Sequence, residues 1–124
     1  MPGPETGGSE AEGEAMKVEV LYIDGCPNHR PALERVVSVL QESTLSVAVT
    51  EIPVASVEQA KTLGFLGSPT IRVNGADVEP EAEGLSEFSY SCRTYSEQGM
   101  LSGVPSQELI RRAIHQALHQ NHGR

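Results

Sequence analysis

The residues best suited to chemistry lie in one short stretch, residues 22–29, where a thiol stands between an apolar run and a helical pattern. Cys26 follows Gly25 and precedes Pro27. A strand that delivers a cysteine to the first turn of a helix places the sulfur where free N–H groups and the helix dipole favour the thiolate. Cys26 is therefore the predicted nucleophile. The alternative is a plain strand-to-helix connection in which Cys26 is a small apolar side chain.

Two other side chains are candidates for thiol chemistry. His29, three residues after Cys26, would stabilise a thiolate when protonated, although the positive end of a helix disfavours that protonation. Cys92 is the second of the two cysteines, and a disulfide with Cys26 requires Cα atoms within about 7 Å of each other. Without such an approach, Cys92 is a small buried hydrophobe.

A metal site is the alternative chemistry for the histidines near the C-terminus. His115, His119 and His122 are spaced by four and three residues, which could put them on one side of a helix. No acidic or sulfur side chain lies in that segment, so a metal site is not predicted there. We expect no cofactor and no resident metal.

The elements that must position Cys26 are predicted from the hydrophobic pattern. Residues 18–23 are mostly β-branched or aromatic, which is typical of a strand buried on both faces. The helix behind Cys26 is predicted from an apolar stripe at i, i+3, i+4 and i+7, formed by Leu33, Val36, Val37 and Leu40. Asn28 is the predicted N-cap, which places Pro31 third in the helix, where its missing N–H costs no bond.

The remaining pattern completes an alternating α/β chain. Residues 45–52 predict a second strand, and residues 56–59 match a capping box before a short helix that Gly64 would end. A third strand is predicted to begin at Pro69 and to end in a turn at residues 74–75. Residues 76–88 form a predicted acidic loop, and strand character resumes over residues 89–95. The βαβα order favours parallel pairing with helices covering the sheet.

A last amphipathic helix has Pro105 near its start. Its predicted apolar face consists of Leu109, Ile110, Ala113, Ile114, Ala117 and Leu118. With 124 residues, the chain has room for one domain, predicted over residues 16–120. Residues 1–15 are rich in Gly, Pro, Glu and Ser and predict a disordered acidic tail. Residues 121–124 are expected to fray.

Charge and hydropathy exclude two classes of partner. The formal net charge is −8, so no broad positive field exists to hold a nucleic acid. The sequence contains no stretch of about 18 apolar residues, so it predicts no membrane span. Its N-terminus lacks a basic region followed by an apolar one, so it predicts no signal peptide. We therefore expect a cytoplasmic protein, in which two cysteines are more typical of free thiols, catalytic groups or metal ligands than of a structural disulfide.

These patterns together resemble the thioredoxin-like fold over residues 17–119. The motifs that carry the resemblance are Gly25-Cys26-Pro27 after the first strand and Gly67-Ser68-Pro69-Thr70 at the start of an antiparallel pair. The resemblance implies a three-layer βαβαββα sandwich with a mixed four-stranded sheet. It also implies a cis peptide bond at Pro69 that faces Cys26.

The same resemblance implies the roles of the site residues. The backbone of Ser68 would pair with thiol-bearing substrates, and Pro69 and Pro27 would complete the substrate-binding surface. Cys92 would lie on the edge strand, so a Cys26–Cys92 disulfide would require the acidic loop to shift that strand.

The motif departs from the Cys-x-x-Cys and Cys-x-x-Ser of thioredoxins and most glutaredoxins, because His29 occupies the last position. The resemblance therefore implies a monothiol protein in which Cys26 performs thiol–disulfide exchange or thiol capture. A second thiol, from glutathione, a thiol-bearing protein partner or Cys92, would resolve the mixed disulfide. We expect a monomer or a weak dimer.

Two other functions remain open. A thioredoxin-like groove can bind a partner without turnover. The chain also resembles small thioredoxin-like proteins labelled alkylmercury lyase-like, which have Gly-Cys-Pro after the first strand and Ser-Cys-Arg before the last helix. Thiolates suit such soft metals, and Cys26, Cys92 and Asp24 are the residues whose types fit two thiolates and an acid.

Overall fold

A computed structural model of the chain describes residues 16–79 and 90–122. The predictions made for the tail at 1–15, for residues 80–89 and for residues 123–124 lie outside the described residues. In chain order the elements are β1 (Val18–Tyr22), α1 (His29–Glu42), β2 (Val49–Pro53), α2 (Val57–Leu63), β3 (Thr70–Val73), β4 (Ala76–Asp77), β5 (Tyr95–Glu97), β6 (Met100–Ser102) and α3 (Gln107–His122). No helix in the described ranges has the length and apolar character needed to cross a bilayer.

The central sheet has four strands in the order β2-β1-β3-β4. β1 pairs in parallel with β2 and antiparallel with β3, and β3 pairs antiparallel with β4. The α/β class, the mixed four-stranded sheet and the parallel pairing across α1 are thus confirmed. β5 and β6 form a separate antiparallel hairpin.

The two faces of β1 are buried by different helices. Val18 and Val20 belong to a core that includes the inward faces of α1 and α3. Leu21, which points to the opposite face, packs with Ala60 of α2 and with Phe65. The predicted burial of β1 on both faces is confirmed.

Helix α1 begins where it was predicted but its buried face is rotated. Asn28 is the N-cap without a side-chain capping bond, and Pro31 is the third helical residue. The buried residues of α1 are Ala32, Val36, Val39 and Leu40. Val37 is 38% exposed, so its assignment to the apolar stripe was wrong. The buried face therefore runs along Ala32, Val36 and Val39, and Val37 lies beside it.

The capping predictions for the other helices are confirmed. The Ser56 hydroxyl accepts the N–H of Gln59 at 3.0 Å, and Gly64 ends α2 at φ +64° in the left-handed region. At the start of α3 the Ser106 hydroxyl accepts the N–H of Leu109 at 3.1 Å. Of the predicted apolar face of α3, four residues are buried and two are partly buried against the core.

Two strand predictions need correction. The second strand begins at Val49 and not at residue 45. The fourth strand of the sheet is Ala76–Asp77, inside the predicted acidic loop, because the turn at residues 74–75 returns the chain directly beside β3. Residues 90–94 form no ladder, and regular strand structure resumes only at Tyr95. Cys92 therefore lies on a connecting segment and not on the edge strand.

Candidate thiol site

Cys26 lies in the turn between β1 and α1. Its N–H donates to the carbonyl of Ile23 at 2.9 Å, and its own carbonyl accepts the N–H of His29 at 3.2 Å. Gly25 has a φ of +87°, the value that a type II turn requires at its third position. Because α1 begins at His29, Cys26 precedes the helix and does not lie in its first turn, which corrects the prediction. Its side chain is half-buried.

The loop before β3 lies beside this turn. The Ser68–Pro69 peptide bond is cis, as the resemblance implied. The Ser68 hydroxyl is buried and accepts the N–H of Ile23 at 3.0 Å. Ile23 therefore hydrogen bonds to Ser68 through its N–H and to Cys26 through its carbonyl. One residue thus joins the cis-proline loop to the turn that carries the thiol.

The backbone of Ser68 is already paired with another part of the chain. Its N–H donates to the carbonyl of Ser91 at 2.8 Å, and its carbonyl accepts the N–H of Arg93 at 3.0 Å. These two bonds form an isolated parallel bridge between Ser68 and Cys92. Both backbone groups that the resemblance assigns to substrates are thus occupied by residues 91–93, which we call the docked segment.

The bridge determines the direction of the Cys92 side chain. Residues directly opposite each other in a β ladder project to the same face. The side chain of Ser68 points to Ile23, so that of Cys92 lies on the same face, where Cys26 follows Ile23. Cys92 is exposed, and both cysteines are free thiols. Ser68 and Ile23 therefore connect the bridge at Cys92 to the turn that carries Cys26, without any displacement of an edge strand.

A buried arginine anchors the docked segment. The Arg93 guanidinium donates to both carboxylate oxygens of Asp77 at 2.8 Å, to Glu79 at 3.0 Å and to the Thr70 hydroxyl at 3.2 Å. Its side chain is 5% exposed. Burial lowers the pKa of Arg93. The hydrogen bond to Asp77 and the neighbouring carboxylates together raise that pKa by more than burial lowers it. The pKa therefore lies above its usual value, and the guanidinium stays charged. The planar guanidinium suits such bidentate pairing.

Tyr95 continues this anchor to the cis-proline loop. The guanidinium of Arg93 lies 4.2 Å from the centre of the Tyr95 ring, a cation–π contact. The Tyr95 hydroxyl donates to the carbonyl of Pro69 at 2.6 Å. Burial raises the pKa of Tyr95 above its usual value, although Arg93 opposes this shift, so the phenol remains a donor. The chain is therefore held to the loop on the C-terminal side of Cys92.

Gly67 permits the close approach of the docked segment. It has a φ of +121°, and a Cβ atom at this position would lie 2.8 Å from the Cβ of Arg93 and 3.2 Å from the carbonyl oxygen of Ser91. Carbon atoms in contact are normally about 3.5–4.0 Å apart. A side chain at residue 67 would consequently push the docked segment away from Ser68.

The other predicted site residues have different surroundings. The His29 ring stacks on Tyr22 with 3.7 Å between centroids, and its Nε2 pairs with Glu51 at 2.7 Å. These contacts hold the ring against β1 and β2. Pro27 is exposed beside Cys26. Within the described side chains, no group of three or more His, Cys, Asp or Glu residues could hold a metal ion.

The residues that fix the docked segment were not predicted from the sequence; they are Gly67, Asp77, Glu79, Arg93 and Tyr95. One signal for them was present. Asp77 and Glu79 are spaced by two, as are Arg93 and Tyr95, and residues spaced by two share a face of extended chain. A pair of acids and an arginine in such a pattern fits two extended segments that face each other.

Comparisons with protein-family models, with curated proteins and with solved structures found no match to this chain. The structure is that of an α/β protein with a mixed sheet, in which hydrogen bonds of Ser68 and Ile23 connect the segments that carry two free thiols.

Proposed function

We propose that this chain is a thioredoxin-like protein of thiol–disulfide exchange, with Cys26 as the attacking thiol. The elements of the central sheet and the three helices follow the βαβαββα order that the resemblance implies, and the hairpin β5–β6 is inserted between β4 and α3. The helices that cover both faces of β1 agree with its three layers.

The observation that carries the proposal is the shared hydrogen bonding of Ile23. Its carbonyl fixes the Cys26 turn, and its N–H fixes the hydroxyl of Ser68. The turn of Cys26 is thereby connected, through Ile23 and Ser68, to the bridge that contains Cys92. This connection between two cysteine-bearing segments supports exchange chemistry over a plain strand-to-helix connection.

The first chemical step follows from thiol chemistry. The Cys26 thiolate attacks one sulfur of a disulfide R–S–S–R′, and a Cys26–S–S–R bond forms while the original S–S bond breaks. The electron pair of the broken bond leaves with R′–S⁻, which takes a proton from water. His29 has a positioning role in this scheme, because its ring holds the start of α1 against Tyr22 and Glu51.

The substrate class follows from the occupied backbone of Ser68. An extended polypeptide would need the N–H and carbonyl that already bond to residues 91 and 93. A small disulfide such as oxidised glutathione needs only the half-buried Cys26 sulfur and the exposed surface around Pro27. Small disulfides are therefore the proposed substrates while the docked segment stays in place, and a thiol-bearing protein could enter only after its release.

The test uses the two single-cysteine variants with an aromatic disulfide whose released thiolate is coloured. The variant Cys92→Ser, which keeps Cys26, should release thiolate about two- to fivefold faster than Cys26→Ser, because an anion near a helix N-terminus typically gains about 0.3–1 kcal/mol and 1.4 kcal/mol is about tenfold in rate. The measurement is the initial rate of release at neutral pH.

The double variant Cys26→Ser/Cys92→Ser is the control and should release nothing. If Cys26→Ser reacts as fast as Cys92→Ser, Cys26 is not the attacking thiol. If neither single variant forms an adduct, the protein performs no exchange, and a binding module without turnover becomes the better assignment.

A further inference from the structure

We propose that Cys92 is the resolving thiol of this site, so that Cys26 and Cys92 form a two-thiol centre across the fold. The inference rests on the proposed function, because it names the group that completes the exchange started by Cys26. The three candidates for that group were glutathione, a protein thiol and Cys92, and the docked segment distinguishes among them.

The register of the bridge is the first argument. Cys92 lies between the two residues that bond to Ser68, and its side chain shares a face with the Ser68 hydroxyl. The Ser68 hydroxyl accepts the N–H of Ile23, and the carbonyl of Ile23 closes the turn of Cys26. Cys92 is therefore connected to the Cys26 turn through two residues, and its exposed side chain is free to rotate towards that turn.

The rigidity of the docked segment is the second argument. The backbone on both sides of Cys92 is bonded to Ser68, and Arg93 is buried against Asp77, Glu79 and Thr70. A group held in this way has lost its translational and rotational freedom before the reaction begins, which raises its effective concentration at the partner atom. A dissolved thiol has no such advantage.

The third argument is that the docked segment occupies the place of a protein partner. Since both backbone groups of Ser68 are bonded inside the chain, a partner strand that offers its own thiol would first have to displace the backbone of residues 91 and 93. The buried ion pair of Arg93 with Asp77 opposes that displacement. An internal thiol that is already in place meets no such barrier.

The resolving step balances as follows. The Cys92 thiolate attacks the Cys26 sulfur of the mixed disulfide, a Cys26–Cys92 bond forms, and the Cys26–S–R bond breaks with release of R–S⁻. Overall, R–S–S–R′ is reduced to two thiols and the protein dithiol is oxidised to a disulfide. Two molecules of a monothiol reductant of the glutathione class, which are themselves oxidised to a disulfide, restore the dithiol.

The experiment adds less than one equivalent of the aromatic disulfide to reduced protein and follows both the released thiolate and the intact mass. The wild type should release two thiolates per disulfide and lose the mass of two hydrogen atoms, with Cys26 and Cys92 joined in one cross-linked peptide pair. Cys92→Ser should release one thiolate and retain the aromatic adduct on Cys26.

A matched variant tests the position of the thiol. In Cys92→Ser/Thr94→Cys an exposed thiol lies two residues, about 6–7 Å, further along the chain. The aromatic adduct on Cys26 should persist at least about tenfold longer in this variant than in the wild type. Correct orientation of two reacting groups can raise a rate by many orders of magnitude.

The outcomes separate the inference from the proposed function. An adduct on Cys26 that lasts as long in the wild type as in Cys92→Ser would overturn the resolving role and leave Cys26 as a monothiol. Equal rates for the wild type and the Thr94→Cys double variant would overturn the role of the register. No adduct on Cys26 in Cys92→Ser would overturn the proposed function itself.

Discussion

The variant Arg93→Met will unfold with a free energy about 3–5 kcal/mol lower than that of the wild type, because the substitution leaves buried carboxylates without their cation. Arg93 is 5% exposed and bonds to Asp77, Glu79 and Thr70. Methionine fills part of the volume but donates no hydrogen bond. Urea unfolding measures the difference.

The matched control is Arg112→Met, since Arg112 is 69% exposed and pairs only at the surface with Glu108. This control should change stability by less than about 0.5 kcal/mol. The combined variant Arg93→Met/Asp77→Asn should recover part of the loss, because it removes one of the unpaired charges. A loss for Arg93→Met no larger than that for Arg112→Met would contradict the anchoring role of Arg93.

The variant Gly67→Ala will also lose stability, by about 2–4 kcal/mol, for two separate reasons. Its φ of +121° is strained for any residue with a Cβ. The added Cβ would lie 2.8 Å from the Cβ of Arg93, and such overpacking typically costs about 1–3 kcal/mol. Urea unfolding measures the loss. The rate of resolution in the disulfide assay should fall as well, because the docked segment must move away from Ser68.

The variant Gly75→Ala distinguishes the cost of backbone strain from the cost of a close contact. Gly75 has a φ of +84° and no heavy atom within 4 Å of a built Cβ, so this variant carries the conformational cost alone, about 1–2 kcal/mol. It should leave the rate of resolution unchanged. Equal losses of stability and equal rates for the two variants would show that residue 67 does not support the docked segment.

Local patterns in the sequence were sufficient to predict most of the fold. The apolar run of β1 predicted burial on both faces, because a central strand needs such residues on each side. Ser56 and Gly64 predicted both ends of α2, because capping depends on residues only a few positions apart.

The arrangement of the candidate site depends on contacts between distant residues and could be predicted only in part. Cys26, Ser68 and Cys92 were identified by type and motif. The burial of Arg93 was not predicted, because an isolated arginine in a polar stretch is ordinarily exposed. Its environment arises only when Asp77, far away in sequence, faces it across the fold. A strand of two residues, such as β4, is likewise too short to give a periodic signal.

The most direct test is the equilibrium between the protein dithiol and oxidised glutathione, measured as the ratio of reduced protein to Cys26–Cys92 disulfide in buffers of known glutathione composition. This ratio gives the effective concentration of one protein thiol at the other. If the docked segment holds Cys92 beside Cys26, the value will exceed the millimolar level of a flexible linker by about tenfold or more. A millimolar or lower value, with glutathione adducts in place of the internal disulfide, would show that the two thiols do not form one site.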